Sequence, residues 1–178
     1  MVYCSFFWKM IKVFKNFISE SLASEITVFV QARAKDNVWS VSNLTYSPDL
    51  VEASTPIFSM ELHEDIVKKI TKLYTKQFKE FKNKTFNMDY KIYSPNSYIT
   101  WHGDDEYIAG STIYLNREYH PNDGGLFLYR DEKNDIRGLE PTYRSMVLNY
   151  KDKNQHCVTA ISPKPRFLRE TIQIFIKR

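Results

Sequence analysis

The chain has 178 residues, of which 43% are apolar and 26% charged, with 5 Gly and 7 Pro. That composition predicts one globular domain able to bury about 70% of its unfolded surface, and it excludes a collagen-like, low-complexity or disordered chain. A formal charge of +4 permits an anionic ligand without requiring nucleic acid, and two cysteines, Cys4 and Cys157, make neither a disulfide framework nor a cysteine-ligated zinc site, so a reducing, cytoplasmic setting is expected.

No apolar run approaches the ~18 residues that a membrane span needs. Met1 to Trp8 is apolar, but no basic segment precedes it and no small-residue cleavage site follows. A buried first strand is expected there, not a signal peptide. Ser19 is placed to cap a helix over residues 20–34, where Leu22, Ala23, Ile26 and Val30 recur at helical spacing. Residues 35–60 are turn-rich, with Pro48 and Pro56, and Trp39 and Val41 fit a strand. A long irregular stretch in a compact domain is a candidate lid. Residues 61–83 read as the clearest helix: Ile66, Ile70, Leu73, Tyr74, Phe78 and Phe81 form one apolar stripe, and lysines fill much of the rest as a solvated face. Glu64 and Asp65 suit its positive end.

From residue 86 the hydrophobic period becomes two. Strands are expected over 86–93, 98–104, 110–116, 125–130, 144–150, 155–161 and 168–176. Turns at Ser94-Pro95-Asn96, Asn122-Asp123-Gly124-Gly125 and Ser162-Pro163 separate them. Two helices followed by seven short strands, with no helix between strands, predict an α+β, mainly β fold. Its form is an antiparallel sandwich or barrel with the helices packed on one face.

The chemistry-bearing residues lie in this second half. In Trp101-His102-Gly103-Asp104 an imidazole and a carboxylate stand at i and i+2, the same face of a strand. They are two-thirds of a facial triad that leaves positions open on iron(II). His156, in Gln155-His156-Cys157-Val158, can supply the third ligand. H-x-D alone is common by chance. Arg169 adds weight, because it opens the alternating run Arg169 to Phe175 and shares a face with Thr171. A guanidinium gives two parallel hydrogen bonds to a carboxylate, and a hydroxyl adds a third. A metal site and a carboxylate anchor on neighbouring strands suit a dicarboxylate that chelates at one end. Arg166 is a rival anchor, but it follows Pro163 and Pro165, where a strand is least expected. No site role is expected of His63 or His120. Asp105 alternates to the opposite face from Asp104, and Cys157 alternates away from His156 into the core.

Taken in order, these residues resemble the Fe(II)/2-oxoglutarate-dependent dioxygenases, especially the prolyl 4-hydroxylase-like branch, over residues 86–176. His102-Gly103-Asp104 matches the family's H-x-D. Tyr114-Leu115-Asn116, then Pro121-Asn122-Asp123-Gly124-Gly125-Leu126, is similar to its YLN…GG-x-L hairpin. Met146-Val147-Leu148 resembles the strand before the distal histidine, and Arg169-x-Thr171 its carboxylate anchor. The chain departs from the pattern at Arg144-Ser145, where glycine is frequent, and at Asn149, where an aromatic is usual.

The resemblance implies a double-stranded β-helix, or jelly roll, in a single domain over 1–178, with helical support from 1–85 and the core in 86–178. It implies Fe(II) held by His102, Asp104 and His156, and 2-oxoglutarate held by Arg169, Thr171, Tyr114 and Tyr93. Oxygen is the second cosubstrate and ascorbate an optional accessory reductant. The implied reaction is hydroxylation of a C–H bond, with succinate and carbon dioxide released. The branch implies a prolyl residue of a peptide or protein as substrate; a free amino acid or other small molecule is equally compatible with the barrel. Tyr98, Trp101, Asn149, Arg130 and Arg144 are pocket candidates. Repair of alkylated nucleic-acid bases is disfavoured: that group carries two arginines six residues apart near its last strand, and Arg166 and Arg169 are three apart. A metal-free interaction module is disfavoured by the intact residue set. No membrane partner is expected, and the sequence carries no signal of oligomeric state.

Overall fold

A computed structural model describes residues 11–42, 56–150 and 154–177. Helix α1 (Glu20–Arg33) starts at Ser19, whose hydroxyl accepts from the Leu22 amide at 3.2 Å, a donor otherwise left unpaired in a first turn. Helix α2 (Glu64–Gln77) is capped by His63, whose Nδ1 accepts from the Asp65 amide at 3.3 Å. It is shorter than the apolar stripe predicts. Phe78 turns extended, and a 3₁₀ turn over Lys79–Phe81 follows. The break lets Phe78 meet Phe14 edge-on while Phe81 stacks on Tyr150. The lysines of α2 are exposed, Lys68 pairing with Glu64 and Lys69 with Glu25 of α1.

Eleven strands are present among the described residues: β1 (Ile11–Phe14), β2 (Ser40–Ser42), β3 (Ile57–Glu61), β4 (Phe86–Tyr93), β5 (Ile99–His102), β6 (Tyr107–Tyr114), β7 (Phe127–Arg130), β8 (Ile136–Leu139), β9 (Met146–Tyr150), β10 (His156–Val158) and β11 (Arg169–Lys177). They form a seven-stranded sheet, β1-β9-β6-β11-β4-β3-β2, and a four-stranded sheet, β5-β10-β7-β8. The ladder pairings are antiparallel.

The large sheet has two different faces because alternate residues point opposite ways. Met88 and Tyr90 of β4, Ile113 of β6, Met146 and Leu148 of β9, and Ile172, Ile174 and Ile176 of β11 join the buried faces of both helices in one core. Burying each such side chain contributes roughly 1.5–3 kcal/mol. The buried Tyr74 of α2 adds a hydroxyl contact with Ser111 of β6. The opposite face carries the polar set: Lys91 and Tyr93 on β4, Thr112 on β6, Asn149 on β9, Arg169 and Gln173 on β11. It lies under the small sheet, and two small apolar clusters close the layer. One holds Ile57, Tyr93, Ile99, Val158 and Ile161; the other holds Ile11, Tyr114, Phe127 and Val147. The cavity between them is where the chemistry sits.

All seven expected strands of the second half are present: 86–93 matches β4 in full, β6 and β11 are shifted along the chain, and β5, β7, β9 and β10 are shorter than expected. The mainly β antiparallel architecture with helices on one face is as the periodicity predicts. Three further strands come from the segment expected to be helical support: β1, β2 and β3 join the large sheet. The first strand expected at Met1 to Trp8 lies outside the described residues. So does part of the candidate lid; what is described of 35–60 includes β2 and β3 at the sheet edge, with Val41 in β2 and Trp39 just before it. No helix among the described residues is long and apolar enough to cross a membrane.

Candidate metal centre and carboxylate cradle

His102 ends β5 and stands directly opposite His156 of β10 in the antiparallel register, the two rings 4.2 Å apart. Asp104 does not share their strand. β5 stops at His102, and the expected i, i+2 pleat is replaced by a turn closed by the Tyr107 amide donating to the Asp104 carbonyl at 3.0 Å. That turn folds the carboxylate back between the imidazoles. Asp104 Oδ1 is 3.8 Å from His102 Nε2, and Oδ2 is 3.5 Å from His156 Nε2. One ligand atom from each of the three lies within 4.8 Å of the others.

The imidazoles are oriented by the same local device. His102 Nδ1 lies 2.8 Å from the Thr100 carbonyl and His156 Nδ1 lies 3.0 Å from the Asn154 carbonyl, in both cases two residues back. A carbonyl accepts only, so Nδ1 carries the proton and Nε2 presents its lone pair to the centre. Two lone pairs and a carboxylate then face one point, an arrangement that repels itself unless a cation sits there. Burial and the neighbouring His156 hold the His102 pKa below the ordinary imidazole value, against the Thr100 carbonyl and Asp104. The neutral, ligating form is therefore favoured. Nitrogen and oxygen donors on three residues fit a divalent first-row ion with open coordination positions.

Gly110 of β6 makes room for this centre. A Cβ there would lie 2.4 Å from Asp104 Oδ2. A glycine inside a strand marks such close approach.

The second feature is a cradle of buried, unpartnered polar atoms. Arg169, 4% exposed, donates Nε–H to the Gly125 carbonyl at 3.1 Å and lies 4.2 Å above the Tyr93 ring. Its Nη1 has no partner, nor do the hydroxyls of Tyr114 and Thr171. Thr171 stands opposite Tyr114 in the β11–β6 register, and Arg169 opposite Tyr93 in the β11–β4 register. Buried polar atoms are normally hydrogen-bonded, so three unpaired donors in one place fit an anion with several acceptor lone pairs. Burial raises the Tyr114 pKa, with the Arg169 guanidinium opposing, which keeps that hydroxyl a donor. Gly124 and Gly125 both have positive φ, and a Cβ on Gly125 would lie 2.9 Å from Arg169 Cδ. The Gly-Gly pair is thus the seat of the arginine. Arg166, the rival, is exposed and offers its backbone amide to Asp123.

His102, Asp104, His156 and Arg169 line one cavity of about 430 Å³, together with Tyr93, Asn149 and Lys91. The other pocket candidates lie elsewhere. Trp101 points away from the centre, under the Arg130 guanidinium at 5.3 Å. Arg144 reaches Asn16 and Glu20 near the start of α1. Tyr98 is outside the lining. His63 caps α2, and His120 caps the turn Pro121–Asp123 by accepting from the Asn122 amide. Asp105 borders the cavity mouth. Cys157 is buried, and burial pushes its thiol up to about 11.

Two residues escape the sequence reading. Gly110 shows only as a glycine within a strand. Lys91 is 8% exposed, faces the cavity and makes no ion pair among the described residues; its signal is a cation at an inward position of an alternating strand.

Sequence comparison matches the chain to no protein family and to no characterised protein. Comparison of structures does find relatives. A prolyl hydroxylase from Trichoplax adhaerens, solved with a hypoxia-inducible-factor degradation-domain peptide, superimposes with a TM-score of 0.74 at 15% identity, over 94% of this chain and 83% of that one. A viral collagen prolyl hydroxylase from Paramecium bursaria Chlorella virus-1, solved with 2-oxoglutarate, gives 0.64 at 15% identity, over 95% and 96%. The α-ketoglutarate-dependent epimerase SnoN from nogalamycin biosynthesis gives 0.69 at 8% identity, over 95% and 78%. The chain therefore has the fold of the 2-oxoglutarate–Fe(II) oxygenases, in the arrangement shared by prolyl hydroxylases.

Proposed function

We propose that the protein is an Fe(II)- and 2-oxoglutarate-dependent dioxygenase that hydroxylates a C–H bond, with a prolyl residue of a peptide or protein as substrate. The observation that carries this reading is the meeting, in one cavity, of a His102–Asp104–His156 donor set with an unpartnered guanidinium. His102, Asp104 and His156 would hold the ion at which one end of a dicarboxylate chelates, and Arg169 Nη1 with the Tyr114 and Thr171 hydroxyls would hold its other carboxylate. When bound, the ferrous ion and 2-oxoglutarate supply the oxidising chemistry, consuming oxygen and releasing succinate and carbon dioxide.

The chain's own residues hold and orient. His102 and His156 keep protons on Nδ1, so their Nε2 atoms can ligate. Asp104 adds one negative charge to the donor set. Tyr93 supports the guanidinium from below by cation–π contact. Phe127, Val147 and Val158 supply apolar wall near the centre, which limits water. The prolyl substrate rests on the prolyl hydroxylases that share the fold, one of them in complex with a peptide. The test is succinate release from protein loaded anaerobically with Fe(II), after oxygen is admitted with 2-oxoglutarate and a panel of proline-containing peptides, free amino acids and nucleic acids. Stimulation by the peptides alone is the expected result. Stimulation by another class reassigns the substrate, and no succinate under any condition removes the activity.

A further inference from the structure

We propose that the side-chain amides of Asn149 and Asn154 form an orienting pair for His156 and set how tightly the three-residue centre holds its ion. This rests on reading His102, Asp104 and His156 as metal ligands.

Beyond the carbonyl two residues back, His156 meets a pair of side-chain amides: Asn149 Nδ2 lies 3.3 Å from its Nδ1, and Asn154 Nδ2 lies 3.1 Å from Asn149 Oδ1. Both asparagines are buried, at 5% and 3% exposure. Asn149 interrupts an otherwise apolar strand, since its β9 neighbours Met146, Val147, Leu148 and Tyr150 are all buried apolar or aromatic residues. A buried amide in such a strand costs stability unless its hydrogen bonds are made. Here the polar neighbours are the ring of His156 and the side chain of Asn154, whose carbonyl also serves that ring.

Asn149 also pairs with Gly110 in the β9–β6 register, and the Asp104 carboxylate rests on Gly110. It thus sits beneath two of the three ligands. The amide pair links the end of β9 to the start of β10, so the ring plane of His156 is tied to the sheet. An amide turns about its last torsion with little change in shape. With both amides turned, Asn149 Oδ1 accepts from Nδ1–H and Asn149 Nδ2 donates to Asn154 Oδ1, so the pair is kept while it fixes the tautomer and raises the basicity of Nε2. Asn149 and Asn154 are positioning residues, acting through His156.

The experiment is calorimetric titration of the metal-free protein with Mn(II), with thermal unfolding of the metal-free form as a check on folding. The set is wild type, His102→Ala, Asn149→Ala, Asn149→Leu, Asn149→Asp, Asn154→Ala and the Asn149→Ala/Asn154→Ala double variant. Loss of an outer partner of a ligating histidine typically weakens metal affinity about 10- to 100-fold. We expect that loss in Asn149→Ala, Asn149→Leu and Asn154→Ala, no further loss in the double variant, and recovery in Asn149→Asp, whose carboxylate accepts Nδ1–H. Wild-type affinity in Asn149→Ala or Asn149→Leu, or a failure of Asn149→Asp to recover it, overturns the proposal. If the Asn149 variants do not fold, Asn154→Ala decides, because it keeps the backbone carbonyl and removes only the amide: unchanged affinity there overturns the proposal. Failure of the metal reading looks different, since the wild type would then bind no Mn(II), or bind it as well as His102→Ala does.

Discussion

The carboxylate of Asp104 lies over the bare Cα of Gly110, so close that a methyl group there would stand 2.4 Å from Oδ2. The two residues belong to a turn and to β6, and neither makes the site without the other. Gly110→Ala must therefore push the carboxylate off the line between His102 and His156. The expected result is a loss of at least about tenfold in Mn(II) affinity, comparable to disturbing a ligand's surroundings. The melting temperature of the metal-free protein should hold or rise slightly, since Ala is the better strand-interior residue. Titration with and without a thermal scan checks both halves.

Arg169 should control the cosubstrate and not the metal. Charge-assisted hydrogen bonds contribute about 1.5–3 kcal/mol each. Arg169→Gln is expected to raise the 2-oxoglutarate concentration for half-maximal succinate release about 10- to 100-fold while Mn(II) affinity stays within about twofold. Gly125→Ala should weaken 2-oxoglutarate in the same direction, because its Cβ would displace the Arg169 side chain. Arg166→Ala, at an exposed position, should change neither. A silent Arg169→Gln beside a damaging Arg166→Ala would transfer the anchor.

Lys91 yields a prediction about stability. It is buried, and burial lowers its pKa, with Asp89 opposing. A lysine whose folded pKa is depressed binds fewer protons when folded than when unfolded. Between that depressed value and its ordinary value near 10.5, stability rises with pH, and below the window the full cost of burying the charge is present. Lys91→Met removes the cost. It should stabilise the fold by about 1–2 kcal/mol at neutral pH, a gain of several degrees in melting temperature, and the gain should shrink as pH climbs towards 10.5. Thermal scans at pH 7 and pH 10 test it; equal gains at both would show that the charge is not the cause.

The sequence made the framework legible where local pattern and final environment agree. Ser19 and the Leu22, Ala23, Ile26, Val30 stripe delimit α1 because cap and buried face are both written locally. The period-two runs after residue 86 give their strands because one face of each meets a core. β8 escaped because Ile136–Leu139 is an exposed edge with no buried alternation, and β3 because it sits within a turn-rich stretch. The helix expected over 61–83 ends at Gln77, because Phe78 and Phe81 continue the apolar spacing while tertiary contacts with Phe14 and Tyr150 break the helix.

At the candidate site, residue types point to His102, Asp104, His156 and Arg169 but not to how they converge. Asp104 arrives by a turn and not by the strand pleat. The Gly-Gly pair proves to be the seat of Arg169. Tyr98, Trp101, Arg130 and Arg144 are pocket candidates by side-chain chemistry alone, which carries no information on where the fold directs them. The fold sends Trp101 and Arg130 to one another and Arg144 to Glu20. His63 and His120 are imidazoles used as caps, a role that spacing from a helix start could have shown.

The central claim is that one dicarboxylate spans the metal centre and the arginine cradle. Its most direct measurement is equilibrium binding of 2-oxoglutarate to the protein, without oxygen, in the presence and absence of Mn(II). The account predicts tight binding only with Mn(II), loss of it in Asp104→Ala through the metal, and loss of it in Arg169→Gln with Mn(II) still bound. Binding of equal strength with and without the ion, or undiminished in Arg169→Gln, would contradict it.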